Sequence, residues 1–309
     1  MTERKKIYFI VNPNSGKGAV RSKLGSILNI LQLGGYEVTV HMTQRQLDAT
    51  DAAKEACDRG EFDMLVCSGG DGTLNEVVNG VMQTETPLPI GYIPCGTMND
   101  FAKNLGISKD MEEAANGIIQ GVPFKSDVGN FNGRYFTYVA CFGAFTDVSY
   151  ATKQSFKNIF GNAAYILDTV RSTFGIRNVH LKVEYDGKEI ENDFILCVIS
   201  NSSSVAGIKM PGRISLNDGE FEVLLVRTPR NPLEFQSVLS RIIIQDTENE
   251  YIRYFKASHI KIKADADVPW CIDGEFGGNS NEVTIRNIPR AVQVIAPPEH
   301  FGLNASASE

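Results

Sequence analysis

The sequence predicts an α/β N-terminal domain built on a parallel sheet, followed by a β-rich C-terminal domain built as an antiparallel sheet or sandwich. The chain has 309 residues, and because a domain usually has about 150 residues, two domains are expected. Short β-rich runs alternate with helical patterns in the first third, which is typical of a parallel sheet covered by helices. Beyond residue 127, Asp-Gly and Asn-Gly pairs separate apolar runs, which is typical of antiparallel hairpins.

Strands and helices are expected to alternate in the N-terminal part. The strands are short apolar runs, namely Ile7–Val11, Glu37–Met42, Met64–Cys67 and Ile90–Ile93. The helical stretches are Val20–Gly34, Asp48–Gly60, Thr73–Met82 and Met111–Gln120. In the third helix Leu74, Val77, Val78 and Val81 recur at the spacing of one helix face. The fourth follows the cap candidates Ser108 and Asp110.

The C-terminal part has the pattern of strands joined by tight turns. Asn132-Gly133, Asp186-Gly187 and Asp218-Gly219 lie beside β-rich runs and predict hairpins. The runs expected to form strands are Tyr135–Cys141, Val179–Tyr185, Glu189–Ser200, Leu216–Val226, Ile260–Ile262, Trp270–Ile272 and Glu282–Ile285. One helix is expected over Asn158–Thr173, and another begins at Asn231-Pro232 with the asparagine as its N-cap.

The composition excludes several classes of protein. Thirty Lys and Arg residues against 37 Asp and Glu residues give a formal net charge of −7. This balance argues against nucleic acid as a main partner, because binding to a phosphate backbone needs a basic surface. The six cysteines form no Cys-x-x-Cys pair, so they predict reduced thiols in a cytoplasmic protein rather than zinc ligands or a secreted disulfide framework. No apolar stretch is long enough for a membrane span or a signal peptide.

Glycine, hydroxyl and amide groups follow each of the predicted parallel strands. They lie in the segments Asn12–Gly18, Thr43, Gly69–Glu76 and Pro94–Asp100. Ligands bind outside the carboxyl ends of the strands in open α/β sheets, so these loops are expected to meet. Glycine N–H groups, threonine hydroxyls and a helix N-terminus suit phosphate. A carboxylate among them, Asp71, is expected to bind Mg²⁺.

Each of these loops has a plainer explanation when it is taken alone. Ser15-Gly16-Lys17 lacks the upstream glycine of a Walker A motif, and Gly69–Gly72 is also typical of a tight turn. Cys95 has no basic neighbour in the sequence that would make it a nucleophile, so an inert thiol is expected. The set of four loops, rather than any one of them, predicts a nucleotide site.

Three segments together resemble the soluble bacterial diacylglycerol kinase family, which is related to the sphingosine and ceramide kinases. They are Asn-Pro-Asn-Ser-Gly at 12–16, Gly-Gly-Asp-Gly-Thr-Leu-Asn-Glu at 69–76 and Pro-Cys-Gly-Thr-Met-Asn-Asp-Phe-Ala at 94–102. The resemblance extends over roughly residues 5–298, with Cys95 where relatives commonly carry serine. It implies an ATP-binding α/β domain at 1–127, with a sheet like that of NAD kinase and phosphofructokinase. It also implies a β-sandwich lipid-substrate domain at 128–288 and a segment at 289–309 that returns to the first domain. The resemblance is compatible with a homodimer but does not fix the oligomeric state.

The resemblance assigns nucleotide contacts to the loops at the strand ends. The residues expected to contact ATP are Asn12, Pro13, Asn14, Ser15, Gly16, Thr43, Gly69, Gly70, Asp71, Gly72, Thr73, Leu74, Asn75 and Thr97. ATP is therefore the expected co-substrate. Asp71 is expected to organise Mg²⁺ at the phosphates, with Asn99, Asp100 and Asp127 in a hydrated network around it.

Two Asp-Gly-Glu tripeptides in the C-terminal part fit plain turns, and the resemblance gives them two different roles. In the first, Ser215, Asp218 and Glu220 are expected to hold a Mg²⁺ ion that orders the domain. In the second, Glu275 is expected to be the general base and Asp273 to support it, because phosphorylation of an alcohol requires an acceptor for the hydroxyl proton.

The expected function is ATP-dependent phosphorylation of the primary hydroxyl of diacylglycerol to give phosphatidic acid. The alternatives are another lipid alcohol such as phosphatidylglycerol, a soluble substrate as in NAD kinase, and a catalytically silent regulator that binds lipid or nucleotide. A membrane lipid implies peripheral contact with the inner membrane surface. The candidate contacts are basic and aromatic residues in and before the helix at 158–173, namely Lys153, Phe156, Lys157, Phe160 and Arg171. An ordinary solvated helix face explains the same pattern.

Overall fold

The computed structural model describes residues 4–97, 99–143, 178–205, 208–212, 214–247 and 249–298. These residues fall into two compact units. The first lies within Met1–Val128, Arg134–Thr137 and Ile288–Glu309, and the second lies within Gly129–Gly133 and Tyr138–Asn287. The expected helix at 158–173 and the five candidate membrane-contact residues lie outside the described residues. Within the described ranges, no helix is long and apolar enough to cross a membrane.

The first unit is built on a parallel sheet. Its strands are β1 (Lys5–Val11), β2 (Tyr36–Met42), β3 (Met64–Gly69) and β4 (Ile90–Pro94), and β2–β1–β3–β4 is their order. Every neighbouring pair in that order is parallel. The C-terminal end of β15 (Glu275–Ala296) adds a further parallel partner, since Val294 pairs with Ile90 on β4. β3 and β4 are buried along their whole length, which explains why both read as unbroken apolar runs.

Helices follow the strands of this sheet as the sequence predicts. They are α1 (Ala19–Leu33), α2 (Asp48–Arg59), α3 (Asp71–Val81), α4 (Asp100–Asn104) and α5 (Met111–Gln120), and a 3₁₀ turn covers Ser15–Gly18. The apolar positions 74, 77, 78 and 81 of α3 are buried, as their spacing predicts. The predicted N-cap of α5 is confirmed, because the Asp110 carboxylate accepts N–H bonds from Glu112 and Glu113.

The predicted start of α3 is wrong by two residues. The helix begins at Asp71 rather than Thr73, with Gly70 in an extended conformation as its N-cap. An aspartate in the first helical position is stabilised by the positive end of the helix dipole. The glycines on both sides of Asp71 therefore belong to a helix start, although their composition is typical of a loop. Asp71 consequently lies in the first turn of α3.

The second unit is antiparallel throughout its described sheet. Its strands are β7 (Val139–Gly143), β8 (Val179–Tyr185), β9 (Lys188–Ser200), β12 (Phe221–Arg227), β13 (Ile252–Ala257), β14 (His259–Ile272) and the first part of β15. Their order is β13–β12–β9–β7–β14–β15, and β8 also pairs with both β9 and β14. A small hairpin of β10 (Ser204–Val205) and β11 (Ile208–Lys209) stands apart, and α6 (Pro232–Ile243) follows β12. The predicted fold class is confirmed.

Three of the predicted Asx-Gly turns have the geometry of two-residue hairpins. Asn132-Gly133, Asp186-Gly187 and Asp273-Gly274 all have positive φ at both residues. This is the signature of a type I′ turn, whose twist matches that of the strands it joins. The predicted N-cap of α6 is also confirmed, since the Asn231 side chain accepts the N–H bond of Glu234.

Other predicted strand boundaries are wrong. Tyr135–Cys141 is two strands, β6 (Arg134–Phe136) and β7, and the short runs at 260–262 and 270–272 belong to the single strand β14. The segment Leu216–Val226 is not a hairpin, because the strand begins only at Phe221. There the Asp218 carboxylate accepts the N–H bond of Glu220 and forms a turn that leads into one strand. The structure also has β5 (Val122–Phe131) and the short α4, which the sequence pattern does not predict.

Candidate functional site

The loops after β1 and β3 are joined by side-chain hydrogen bonds at the carboxyl end of the sheet. The Ser15 hydroxyl accepts the N–H bond of Gly70 at 3.0 Å, and the Asn12 amide donates to the Thr73 hydroxyl at 3.0 Å. The backbone N–H of Asn12 donates to the Ser68 carbonyl. The first loop is therefore held against the N-terminus of α3, where helix N–H groups and the positive end of the dipole favour an anion.

The loop after β4 packs against the same place through glycine. A Cβ atom on Gly16, which has φ +57°, would lie 2.1 Å from the carbonyl oxygen of Cys95. A Cβ atom on Gly96 would lie 2.7 Å from the Cα atom of Gly70. Only glycine permits backbones to approach this closely. The structure thus brings together three of the four loops that the sequence predicts to meet.

Asp71 connects the start of α3 with the start of α4. Its two carboxylate oxygens accept N–H bonds from Asp100 and Phe101 at 3.3 and 3.4 Å. This contact satisfies donors at the first turn of α4, which has no side-chain cap of its own. The carboxylate remains only partly buried. Asp71 therefore has a structural contact in addition to the metal role expected for it.

The three residues expected to surround Asp71 in a hydrated network have other contacts. Asn99 is buried, and its side-chain amide accepts a hydrogen bond from the Gly96 N–H and donates one to the Gly96 carbonyl. Asp100 is buried and forms an ion pair with Lys103. Asp127 is buried, and its Oδ1 atom accepts the N–H bond of Arg290 at 2.7 Å. Asn99 and Asp127 thus bond to backbone groups, and Asp100 bonds to a lysine side chain.

A cavity of about 300 Å³ opens beside these loops. It is lined by polar residues that follow β1 and β2 and by two residues of α3, namely Asn12, Asn14, Thr43, Gln44, Arg45, Gln46, Thr73 and Glu76. The loop after β2 therefore supplies one wall of the cavity. Its position is set partly by the N–H bond of Thr43 to the Val11 carbonyl.

The other predicted nucleotide contacts differ in how they could reach a ligand. Leu74 is fully buried in the core, and Asn75 is buried with its amide donating to the Tyr135 carbonyl, so these side chains face the protein. Pro13 is buried, whereas Thr97 is exposed on the loop after β4. Burial raises the pKa of the Cys95 thiol, which supports the expectation of an inert thiol.

Glu76 is a site residue whose role the sequence does not reveal. One carboxylate oxygen accepts the N–H bond of Leu47 at 3.0 Å, and the other accepts that of Ala49 at 3.3 Å. Helix α2 begins here at a leucine N-cap, whose side chain cannot accept a hydrogen bond. Glu76 therefore caps α2 from α3 and holds the loop that walls the cavity. The missing cap at Leu47 is the signal that could have revealed this contact.

In the second unit, the turn at Asp273-Gly274 presents one carboxylate inward and one outward. Asp273 is buried, and its Oδ1 atom accepts N–H bonds from Tyr138 and Val139, both at 3.0 Å. Its own N–H donates to the Val139 carbonyl at 2.9 Å. Glu275 is the first residue of β15, pairs with Ile272 across the hairpin and is exposed. The two carboxylates therefore differ in burial and in what they contact.

These contacts predict a structural effect for Asp273. Asp273→Ala removes the acceptor of two buried N–H groups, and each unsatisfied buried donor costs about 1–3 kcal/mol. We expect the free energy of unfolding to fall by several kcal/mol in urea titrations. Asp273→Asn keeps an acceptor oxygen and tolerates the positive φ, so it should lose clearly less. Equal losses in the two variants would contradict the role assigned to the Oδ1 atom.

The turn at 215–220, where the sequence predicts a metal ion, lies beside the positive charge of Lys256. The Ser215 hydroxyl donates to the Asn217 amide oxygen at 3.0 Å, and the Asp218 carboxylate lies 2.7 Å from the Lys256 ammonium. Lys256 also lies 3.2 Å from Glu222, which is fully buried, and burial raises the pKa of Glu222 to about 7. Serine and aspartate oxygens suit Mg²⁺. In the described part of the chain, however, no group of three or more His, Cys, Asp or Glu residues could hold a metal.

Known proteins resemble the chain over nearly its whole length. Residues 6–131 match the family model "Diacylglycerol kinase catalytic domain", and residues 141–296 match "YegS C-terminal NAD kinase beta sandwich-like domain". A diacylglycerol kinase of Bacillus subtilis (strain 168) is 36% identical over 298 residues, which cover 96% of this chain and 97% of that protein. A diacylglycerol kinase of Staphylococcus carnosus (strain TM300) is 33% identical over 302 residues, or 96% of each chain. A crystal structure of a diacylglycerol kinase from Bacillus anthracis strain Sterne has a TM-score of 0.76 at 23% identity. It covers 97% of this chain and 99% of that chain, and it shares the fold.

Proposed function

The chain belongs to the diacylglycerol kinase family of lipid kinases, and from that premise we propose that it transfers the γ-phosphoryl group of ATP to the primary hydroxyl of diacylglycerol. The product is phosphatidic acid. The observation that carries the proposal is the junction of three glycine-containing loops at the N-terminus of α3, beside a polar cavity. The relatives that match over almost the full length are named for the same substrate.

The first unit binds the nucleotide in this proposal. Gly16, Gly69, Gly70, Gly72 and Thr73 hold the phosphates, because glycine admits close approach and the first turn of α3 directs N–H groups toward an anion. Asn12, Thr43 and Thr97 lie around the rest of the nucleotide. Asp71 would hold Mg²⁺ bound with ATP, and the ion would neutralise phosphate charge.

The second unit supplies the proton acceptor in this proposal. Glu275 takes the proton of the lipid hydroxyl as that oxygen attacks the γ-phosphorus. Its exposure on the hairpin leaves the carboxylate accessible to a substrate. Asp273 is a positioning residue that acts through Glu275. The Asp273 carboxylate accepts hydrogen bonds from the Tyr138 and Val139 N–H groups and so holds the turn from which Glu275 projects.

Replacement of Glu76 tests whether the capped loop forms part of the ATP site. In Glu76→Ala the N-terminus of α2 loses its cap and the wall at Thr43–Gln46 loses its anchor. We expect the KM for ATP to rise by about tenfold, which corresponds to a loss of about 1.4 kcal/mol of binding free energy. The kcat at saturating ATP should stay close to wild type. Glu55→Gln, a change of an exposed residue on α2, is the matched control. An unchanged KM in Glu76→Ala would show that the loop capped by Glu76 is not part of the ATP site.

The turn at 215–220 is proposed to bind Mg²⁺ in competition with Lys256. Ser215, Asp218 and the backbone carbonyl of Glu220 would supply the oxygen ligands, and the Lys256 ammonium must leave Asp218 for the ion to bind. We expect Lys256→Met to increase the rise in Tm that millimolar Mg²⁺ produces in the absence of ATP. An identical Mg²⁺-dependent rise in wild type and in Lys256→Met would refute the competition.

A lipid-panel assay tests the function itself. Mg²⁺ and labelled ATP would be mixed with the protein and with micelles of diacylglycerol, phosphatidylglycerol or no lipid, and NAD would be tested in parallel. We expect label in phosphatidic acid and little in the other products. Label confined to NAD would replace the proposal with a NAD kinase, and ATP binding without any transfer would replace it with a silent regulator.

Contact with a membrane surface is a separate part of the proposal, since diacylglycerol resides in the bilayer. Flotation with vesicles of neutral and anionic lipid measures it directly. We expect the protein to float with anionic vesicles. If no protein reached the lipid layer at low salt, peripheral contact would be refuted.

A further inference from the structure

Two cysteines of the second unit lie directly opposite each other on neighbouring strands. Cys141 on β7 pairs with Cys271 on β14 in antiparallel register. Both side chains contact the same apolar cluster, which includes Tyr138, Val139 and Val198. They therefore share one face of the sheet, where directly opposed residues have Cα atoms about 4.5–5.5 Å apart. A disulfide requires about 4.4–6.8 Å between Cα atoms.

The two thiols differ in access to solvent. Cys141 is buried, whereas Cys271 is only partly buried. Two effects raise the pKa of the Cys141 thiol. The larger is its hydrogen bond with the Cys271 thiol, and the smaller is its burial. Both are free thiols in the structure, as are the other four cysteines. The pair thus consists of one partly exposed thiol and one buried thiol within hydrogen-bond reach of it.

We propose that Cys141 and Cys271 are a site of reversible oxidation by a peroxide, with Cys271 as the attacking thiol and Cys141 as the resolving thiol. The Cys271 sulfur attacks one peroxide oxygen, so that an S–O bond forms, the O–O bond breaks and the leaving oxygen takes up a proton as water. The Cys141 sulfur then attacks the resulting sulfenic acid. An S–S bond forms, the S–O bond breaks and a second water leaves. Two thiols have lost two electrons and hydrogen peroxide has become two waters.

The bond draws the two strands together. Directly opposed Cβ atoms on antiparallel strands lie about 4.5–5.5 Å apart, but a disulfide requires about 3.5–4.5 Å. The difference strains the bond and makes it easier to reduce. The oxidised form is therefore expected to return readily to the dithiol when a thiol reductant is added.

The strain reaches the turn that carries Glu275. Cys271 is separated from Asp273 by one residue, and the Asp273 carboxylate holds the N–H groups of Tyr138 and Val139 at the start of β7. A shift of β14 toward β7 consequently alters both strands that fix the hairpin. The predicted loss of activity rests on the proposed role of Glu275, whereas formation of the disulfide does not.

The test is oxidation of the full-length protein with a small excess of hydrogen peroxide. We expect two of the six thiols to disappear in a denaturing thiol titration, the intact mass to fall by two hydrogen masses, and proteolytic mapping to join residues 141 and 271. Kinase activity should fall by at least about tenfold, since misplacement of a catalytic group by 1 Å can cost about 10²-fold. Dithiothreitol should restore both the thiols and the activity.

Two variants separate the possible outcomes. Cys271→Ser should keep its activity in peroxide. Cys197→Ala removes a buried cysteine on β9 that lies opposite Phe142 rather than Cys141, and it should behave as wild type. Six intact thiols, or a sulfinic acid on Cys271 alone, would overturn the dithiol site. If the disulfide between residues 141 and 271 formed and activity stayed complete, the proposed effect of the disulfide on Glu275 would be wrong. The lipid-panel assay on reduced protein tests the proposed function independently.

Discussion

Glu275→Gln is expected to lower kcat by about 10²–10⁴, the usual contribution of a general base. Glutamine has the size of glutamate but cannot take the hydroxyl proton, so the loss should appear in the chemical step. Glu275 is exposed on the hairpin and the turn is held by Asp273, so the variant should fold with an unchanged Tm. Steady-state turnover with diacylglycerol micelles, combined with calorimetric binding of ATP, measures the two properties separately.

Glu282→Gln is the matched control for this variant. It changes another exposed glutamate on the same strand β15 and leaves the turn untouched. The control should turn over substrate at the wild-type rate and bind ATP with the wild-type affinity. If Glu275→Gln also retained the wild-type kcat, Glu275 would not be the general base and the proton would have to leave by another route.

Asp71→Asn is expected to reduce activity by a comparable factor for a different reason. Phosphoryl transfer depends on positioning and on neutralisation of the phosphate charge. The asparagine keeps one acceptor oxygen for the N–H groups of Asp100 and Phe101, but it lacks the charge that is proposed to hold Mg²⁺. We therefore expect a loss of stability of about 1–2 kcal/mol, together with a fall in kcat of at least about 10²-fold.

Asp110→Ala separates the structural and the electrostatic parts of this effect, because loss of an aspartate N-cap costs about 0.5–2 kcal/mol. Asp110 also presents a carboxylate to two N–H groups at a helix start, those of Glu112 and Glu113, and it belongs to the same unit. This control should lose a similar amount of stability in urea titrations and keep its turnover. An equal loss of turnover in both variants would assign Asp71 to folding alone.

The loops of the candidate nucleotide site were predictable because their signals are local. Glycine and hydroxyl residues at the ends of strands β1, β3 and β4 identified the loops, and the rule for ligands in parallel sheets predicted that they meet. Asp186-Gly187 and Asn132-Gly133 identified their turns because few other residues adopt positive φ at both positions. The start of α3 was misplaced because glycine beside aspartate is equally common in loops and at helix starts.

Contacts between segments that are distant along the chain were not predictable. Glu76 could be assigned to the motif from its position, but nothing nearby showed that its carboxylate caps α2 in place of Leu47. Asp218 was expected to bind a metal, and the ammonium beside it comes from a lysine on β13. The pairing of Cys141 with Cys271 depends on the register of two strands whose separation in sequence exceeds one hundred residues.

The sequence alone thus determined the alternation of β1–β4 with α1, α2, α3 and α5, the type I′ turns and the loops that gather at the end of the parallel sheet. Side-chain periodicity and the conformational freedom of glycine act over a few residues, so these features are local. The tertiary structure alone decided what each carboxylate contacts. Asp71 satisfies N–H groups at the start of α4, Asp273 does so at the start of β7, and Glu76 does so at the start of α2. A buried N–H group must find an acceptor wherever the fold places one, and that choice depends on which distant segments the packing brings within about 3 Å.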